Sequence, residues 1–101
     1  MAVATYLIVN FDSADAAAFA AYVPAVLPLL ARHGGTVLVA DYAATALEGT
    51  AHDVNVVIEF AREQDALAFY HDADYAPAKA LRHNSTRNST LLLAQGMNPA
   101  V

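Results

Sequence analysis

The 101-residue chain contains no cysteine, so neither a disulfide framework nor a thiolate metal site can form, an absence that fits a reducing compartment. Basic residues are nearly as scarce. Lysine occurs once, at Lys79, and five Lys and Arg stand against ten Asp and Glu, a net charge of −5. Nucleic acid demands several clustered cations to neutralise its phosphates, and an acidic membrane surface demands the same, so neither partner is expected. No glycine-rich phosphate loop, nucleophile elbow or Ser-His-Asp order occurs. No Lys or Arg precedes Arg32, so the basic region of a secretory signal is missing. The uncharged run from Ala16 to Ala31 includes Pro24 and Pro28 and falls short of the roughly 18–20 residues of a membrane span. The expectation is a cytoplasmic, soluble protein.

What the chain has in excess is apolar surface. Hydrophobic residues make up 57% and charged residues 15%, against averages of roughly 45–50% and about 25%. A single domain over residues 1–101 is expected, and a chain this short buries only roughly 60–70% of its unfolded surface. The surplus therefore points to a subunit interface, although much of it is alanine.

Hydrophobic patterning supplies the element order. Thr5 to Phe11 is a continuous β-branched and aromatic run that suits a strand buried on both faces, and Asp12-Ser13 offers a helix cap. Phe19, Val23, Val26, Leu27 and Leu30 recur at helical spacing, with Pro24 expected to break the path and Gly34-Gly35 to end it. Thr36 to Ala40 reads as a second strand, which Ala44 to Leu47 extends before Glu48-Gly49-Thr50 turns the chain. Val54 to Ala61 is the third strand. A helix opens at Arg62 with acids in its first turn, Asp72 to Asp74 interrupts it, a shorter helix runs from Tyr75 to about Asn84, and Ser89 to Gln95 is the last strand.

The resulting βαββαβ order predicts an α+β, ferredoxin-like split βαβ fold, with a four-stranded antiparallel sheet and both helices on one face. Val54, Val56, Ile58 and Phe60 line one side of the third strand, while Val57 lies with Asn55 and Glu59 on the other. The face without helices is too apolar for solvent alone, and a homodimer packed sheet to sheet would cover it.

Chemistry is expected between Val54 and Arg82. Glu59 is a carboxylate on a largely apolar strand, the right type for an acid or base if that face is interior, and a structural partner for Arg82 if not. Tyr6, Tyr42, Tyr70 and Tyr75 offer rings with a polar tip for a small ligand. Tyr70 and Phe69 read as core, and Tyr75, after the Asp72-Ala73-Asp74 break, as the better ligand contact. Lys79 and Arg82 follow Tyr75 by four and seven positions, placing all three on one helical face that suits a carboxylate or enolate. His71, Asp72 and Asp74, and separately His52-Asp53, are metal-ligand types at undiagnostic spacing, and no metal is expected. Asn84-Ser85-Thr86 and Asn88-Ser89-Thr90 match glycosylation sequons but read as a turn into the last strand.

Glu59-Phe60, Ala66, Phe69-Tyr70, Asp74-Tyr75 and Arg82 follow the pattern EF…A…WY…EY…R and resemble a bacterial family known as domain of unknown function thirteen-thirty. Tyr6, Tyr22, Pro28, Gly34-Gly35, Leu38 and Glu48-Gly49 extend the resemblance over most of the chain. Two departures stand out. Ala40-Asp41-Tyr42 occupies the place of Arg-Gly-Gly, removing a cation that could hold an anion, and Asp72-Ala73-Asp74-Tyr75 replaces Ser-Pro-Glu-Tyr. The resemblance implies a dimeric α+β barrel with no settled activity. Three functions follow as expectations. One is an enzyme without cofactor, using Glu59 and Arg82 on a small molecule held by Tyr6, Asn55, Tyr70, Tyr75 and Lys79, for proton transfer, isomerisation or oxygenation. The others are a non-catalytic small-molecule binding or stress-related module and a structural dimerisation domain.

Overall fold

The computed structural model describes residues 3–97. Four strands, β1 (Thr5–Ser13), β2 (Thr36–Asp41), β3 (Val54–Phe60) and β4 (Thr86–Gln95), form one antiparallel sheet in the order β2-β3-β1-β4. Between β1 and β2 lie α1 (Ala16–Phe19) and α2 (Tyr22–Arg32). Between β3 and β4 lie α3 (Glu63–Tyr70), a 3-10 turn (Ala73–Tyr75) and α4 (Ala76–Ser85). This is the ferredoxin-like split βαβ arrangement expected from the element order.

Local boundaries differ from the sequence reading for identifiable reasons. Strand β1 continues through Asp12 to Ser13, and the helix cap is Asp15, whose carboxylate accepts from the Ala18 N–H at 3.0 Å. The path breaks at Ala20-Ala21 rather than at Pro24, because Pro24 falls in the first turn of α2, where its missing N–H costs nothing. At the other end of α2, Gly34 takes φ +74°, and the N–H groups of Gly35 and Gly34 bond the Leu30 and Ala31 carbonyls at 2.8 and 3.3 Å. That double closure needs the left-handed residue that glycine supplies. Residues 44–47 form no strand, and the segment from 42 to 53 is irregular and mostly exposed. Strand β4 starts at Thr86, three residues early, directly from α4. Its register on β1 shifts between Asn10 and Asp12, where Asn88 adopts φ 53° and donates to Asp12 at 2.9 Å, a bulge at a residue type that tolerates positive φ.

Alternation along β1 and β3 divides the molecule. Leu7, Val9, Phe11, Val54, Ile58 and Phe60 are buried beneath the helices with Val26, Leu29, Leu30, Ala66, Phe69, Tyr75 and Ala78. Tyr6, Ile8, Asn10, Asn55, Val57 and Glu59 project from the opposite side, which carries no helix and leaves them half-buried. On that side Val39 and Leu92 are 44% and 55% exposed, and strand register lines them up with Val57 and Ile8 in one apolar row across the sheet. All six residues of the edge strand β2 are exposed.

Candidate functional site

The open face carries polar groups that satisfy one another. Tyr6 and Glu59 are direct cross-strand partners, and the Tyr6 hydroxyl donates to Glu59 Oε2 at 2.8 Å. Accepting from the phenol, the carboxylate holds the Tyr6 proton in place and raises its pKa above the ordinary tyrosine value. Two register steps away, Asn10 Nδ2 donates to Asn55 Oδ1 at 2.8 Å, and Asn55 Nδ2 donates to the His52 carbonyl at 3.0 Å. Ile8 and Val57 separate the two polar pairs.

The helix side contains a cavity of about 120 Å³ under α1 and α2. Its walls are apolar, with Phe11 and Phe19 meeting edge to face at 5.1 Å and Phe19 stacking on Tyr22 at 5.4 Å between ring centres. Leu27, Val37 and Tyr42 line its outer side and are 50%, 39% and 56% exposed, so the cavity opens between α2 and β2. The volume is on the order of ten times what one ordered water requires.

One charge faces this space. Arg82, in the last turn of α4, is 2% exposed and lines the cavity. Its Nη1 donates to Ser89 Oγ at 2.9 Å and its Nη2 to His83 Nε2 at 3.3 Å. Among the described residues, its Nε has no hydrogen-bond partner and no carboxylate pairs with the guanidinium. His83 suits the acceptor role, because burial and the neighbouring Arg82 and Lys79 cations lower its pKa and favour neutral imidazole. The helix C-terminus offsets only part of the arginine charge. Tyr22 stands beside it. Burial, then Tyr75, raises the Tyr22 phenol pKa, while Arg82 pulls it the other way. The Tyr22 and Tyr75 hydroxyls lie 2.9 Å apart.

The residues singled out from sequence thus divide between two places. Tyr6, Asn55 and Glu59 lie on the open face, while Tyr70, Tyr75, Lys79 and Arg82 lie on the helix side. A shared pocket of Tyr6, Glu59, Tyr75 and Arg82, or a Glu59–Arg82 pair, does not form within the chain because the sheet stands between them. Tyr70 packs against the core as expected, while Tyr75, expected as a ligand contact, lies deeper than Tyr70. Tyr75 is fully buried, with its ring 4.7 Å from that of Phe69, whereas Tyr70 is half-buried under Lys79, whose Nζ sits 4.1 Å from the ring centre. The cation–π contact takes Lys79 to the Tyr70 ring while Arg82 turns inward. Asp72 is held by His33 at 2.7 Å and Arg32 at 2.9 Å, and Arg32 also reaches Asp74 at 2.9 Å. The His33 bond, with the Asp74 N–H and Arg32, lowers the Asp72 carboxyl pKa to about 2. These contacts tie the end of α2 to the turn before α4.

Tyr22, Phe19 and Val26 were not singled out as site residues, yet they build the cavity wall. A signal was present for Tyr22. It is the only residue from 16 to 31 with a polar side-chain atom, and a lone hydroxyl in an apolar helix is a candidate for facing a cavity.

The family model described as "Domain of unknown function (DUF1330)" matches residues 4–97. A protein of unknown function from Rhodopseudomonas palustris superposes with a TM-score of 0.81 at 19% identity, covering 98% of this chain and 86% of the other. A dimeric protein of unknown function with a ferredoxin-like fold from Bacteroides fragilis gives 0.64 at 12%, covering 92% and 96%. A dimeric ferredoxin-like protein of unknown function from Thermobifida fusca gives 0.58 at 16%, covering 94% and 92%. No curated protein is significantly similar to the chain. Among the described residues, no helix is long and apolar enough to cross a membrane.

Proposed function

The chain belongs to the DUF1330 family, and we propose that it handles a small molecule inside the cavity under α1 and α2, as one subunit of a homodimer packed through its open sheet faces. The observation that carries this reading is an apolar cavity with a buried cation, Arg82, and the Tyr22 hydroxyl in its lining, the usual composition of a small-ligand site. The homodimer is supported by exposed Val39 and Leu92 beside half-buried Ile8 and Val57, and by the dimeric state of the Bacteroides fragilis and Thermobifida fusca proteins. Such packing would leave each cavity facing away from the interface.

Toluene, a neutral apolar probe, tests the cavity by its effect on the melting temperature. It should raise the Tm of the wild-type protein and leave Val26→Phe unchanged, because the larger ring fills the space beside Val26. No response in the wild type would reject the cavity as a ligand site.

A second reading, proton-transfer chemistry by Glu59, rests on the Tyr6–Glu59 contact, which joins two titratable groups on a face a second subunit would enclose. Isomerisation and oxygenation remain within this reading. Glu59→Gln should abolish turnover of any substrate found while preserving the fold, and unchanged turnover would remove Glu59 from the chemistry.

A further inference from the structure

We propose that the ligand is a small monoanionic organic acid, with an apolar body in the cavity and a carboxylate, or an equivalent single anionic group, against Arg82. This deepens the cavity reading above and rests on it. A buried guanidinium without a carboxylate is a costly arrangement, because its desolvation is offset only when a counter-charge arrives. Arg82 is 2% exposed, its Nε is unpartnered, and it lines the cavity. Its two bonded nitrogens contact neutral acceptors, Ser89 and His83. Among the described residues the guanidinium charge is therefore unmatched beside the cavity that Arg82 lines.

The remaining features narrow the class. Among the described residues Arg82 is the only charged one in the lining, so a second negative charge on the ligand would lie unpaired in an apolar wall. Tyr22 lines the same space and keeps its proton, because burial raises its pKa. It supplies a second donor beside the guanidinium, while Tyr75 accepts or donates behind it at 2.9 Å. Phe11, Phe19 and Tyr22 present ring faces and edges to the rest of the ligand, favouring a flat aromatic or short aliphatic body over a sugar or a nucleotide. The cation missing from Ala40-Asp41-Tyr42 is thus no obstacle to holding an anion, since Arg82 approaches the cavity from α4.

Benzoate, its neutral isostere benzamide, and toluene form the test, read by Tm and by NMR shifts of aromatic protons. Benzoate at ten times its dissociation constant should raise the Tm by roughly 6–11 °C, benzamide should do far less, and Arg82→Met should weaken benzoate about 10- to 100-fold. Far-UV circular dichroism checks that the variant folds. Val26→Phe, which retains the arginine, should also block benzoate and serves if Arg82→Met does not fold. Toluene binding with equal responses to benzoate and benzamide would overturn the anionic assignment and leave the cavity reading intact. Toluene binding without benzoate binding would do the same. Benzoate binding that survives Arg82→Met or Val26→Phe would place the anion elsewhere and overturn the proposal. Failure of toluene and benzoate alike would remove both.

Discussion

The two sides of the sheet meet polar chemistry in opposite ways. On the open side, Tyr6 satisfies Glu59 and Asn10 satisfies Asn55, each across the strand pair, while apolar neighbours such as Leu92 remain exposed. On the helix side Leu7, Phe11, Ile58 and Phe60 of the sheet are well covered, and the polar group Arg82 is left partly unsatisfied. On the function proposed above, the open face would take a large apolar cover such as another protein surface, and the cavity with its one unmatched cation would take something small and anionic. The same alternation of side chains along β1 and β3 produces both situations.

The sharpest way to test that division is to remove matching apolar groups from each side. Phe60→Ala, at a fully buried ring beneath the helices, should cost about 3–5 kcal/mol in chemical denaturation. A cost near zero would mean the helix layer does not depend on this contact. Leu92→Asp, on the open face, should leave the subunit fold intact by circular dichroism and weaken self-association by roughly 100-fold in sedimentation equilibrium. An unchanged association constant would move the interface off this face.

Acid should act on the helix side through Asp72. With a folded pKa of about 2, below the ordinary carboxylate value, Asp72 contributes stability that is fully present above that ordinary value and lost as pH falls towards 2. Asp72→Asn should therefore lower the Tm near neutrality and flatten its decline between pH 4 and 2, with no parallel change in self-association. The smallest effect belongs to the open face. Spectrophotometric titration should show Tyr6 ionising above the ordinary range because of Glu59, alongside the buried Tyr22, and Glu59→Gln should bring Tyr6 alone down. No difference between the two titrations would mean that the Tyr6–Glu59 bond does not persist in solution.

Much of this was legible before any coordinates. The order of strands and helices followed from periodicity, and the separation of Val54, Val56, Ile58 and Phe60 from Asn55, Val57 and Glu59 followed from the two-residue repeat of a strand. Less was legible at element ends. Pro24 reads as a breaker until its place in the first turn of α2 is known. The start of β4 at Thr86 was hidden because Thr86 to Asn88 is polar and includes a bulge residue. In the candidate site, the sequence marks Glu59 as an unusual carboxylate and Arg82 as its partner or as a ligand-binding cation, and nothing local shows that the sheet keeps them apart. Tyr75 looked like a ligand contact because it follows a break in the helix, yet that break folds it beneath Phe69 and buries it.

The sequence by itself determined the class of fold, the pairing of residues into faces, and the presence of more apolar surface than one small domain can hide. These are consequences of local periodicity and composition, which act along the chain. Only the tertiary structure decided that Glu59 and Arg82 lie on opposite sides of the sheet, that Tyr22 from α2 meets Arg82 from α4, and that a cavity remains between them. Each depends on which face the helices cover and how closely they approach it, and packing between residues sixty positions apart in the chain leaves no mark in any local pattern.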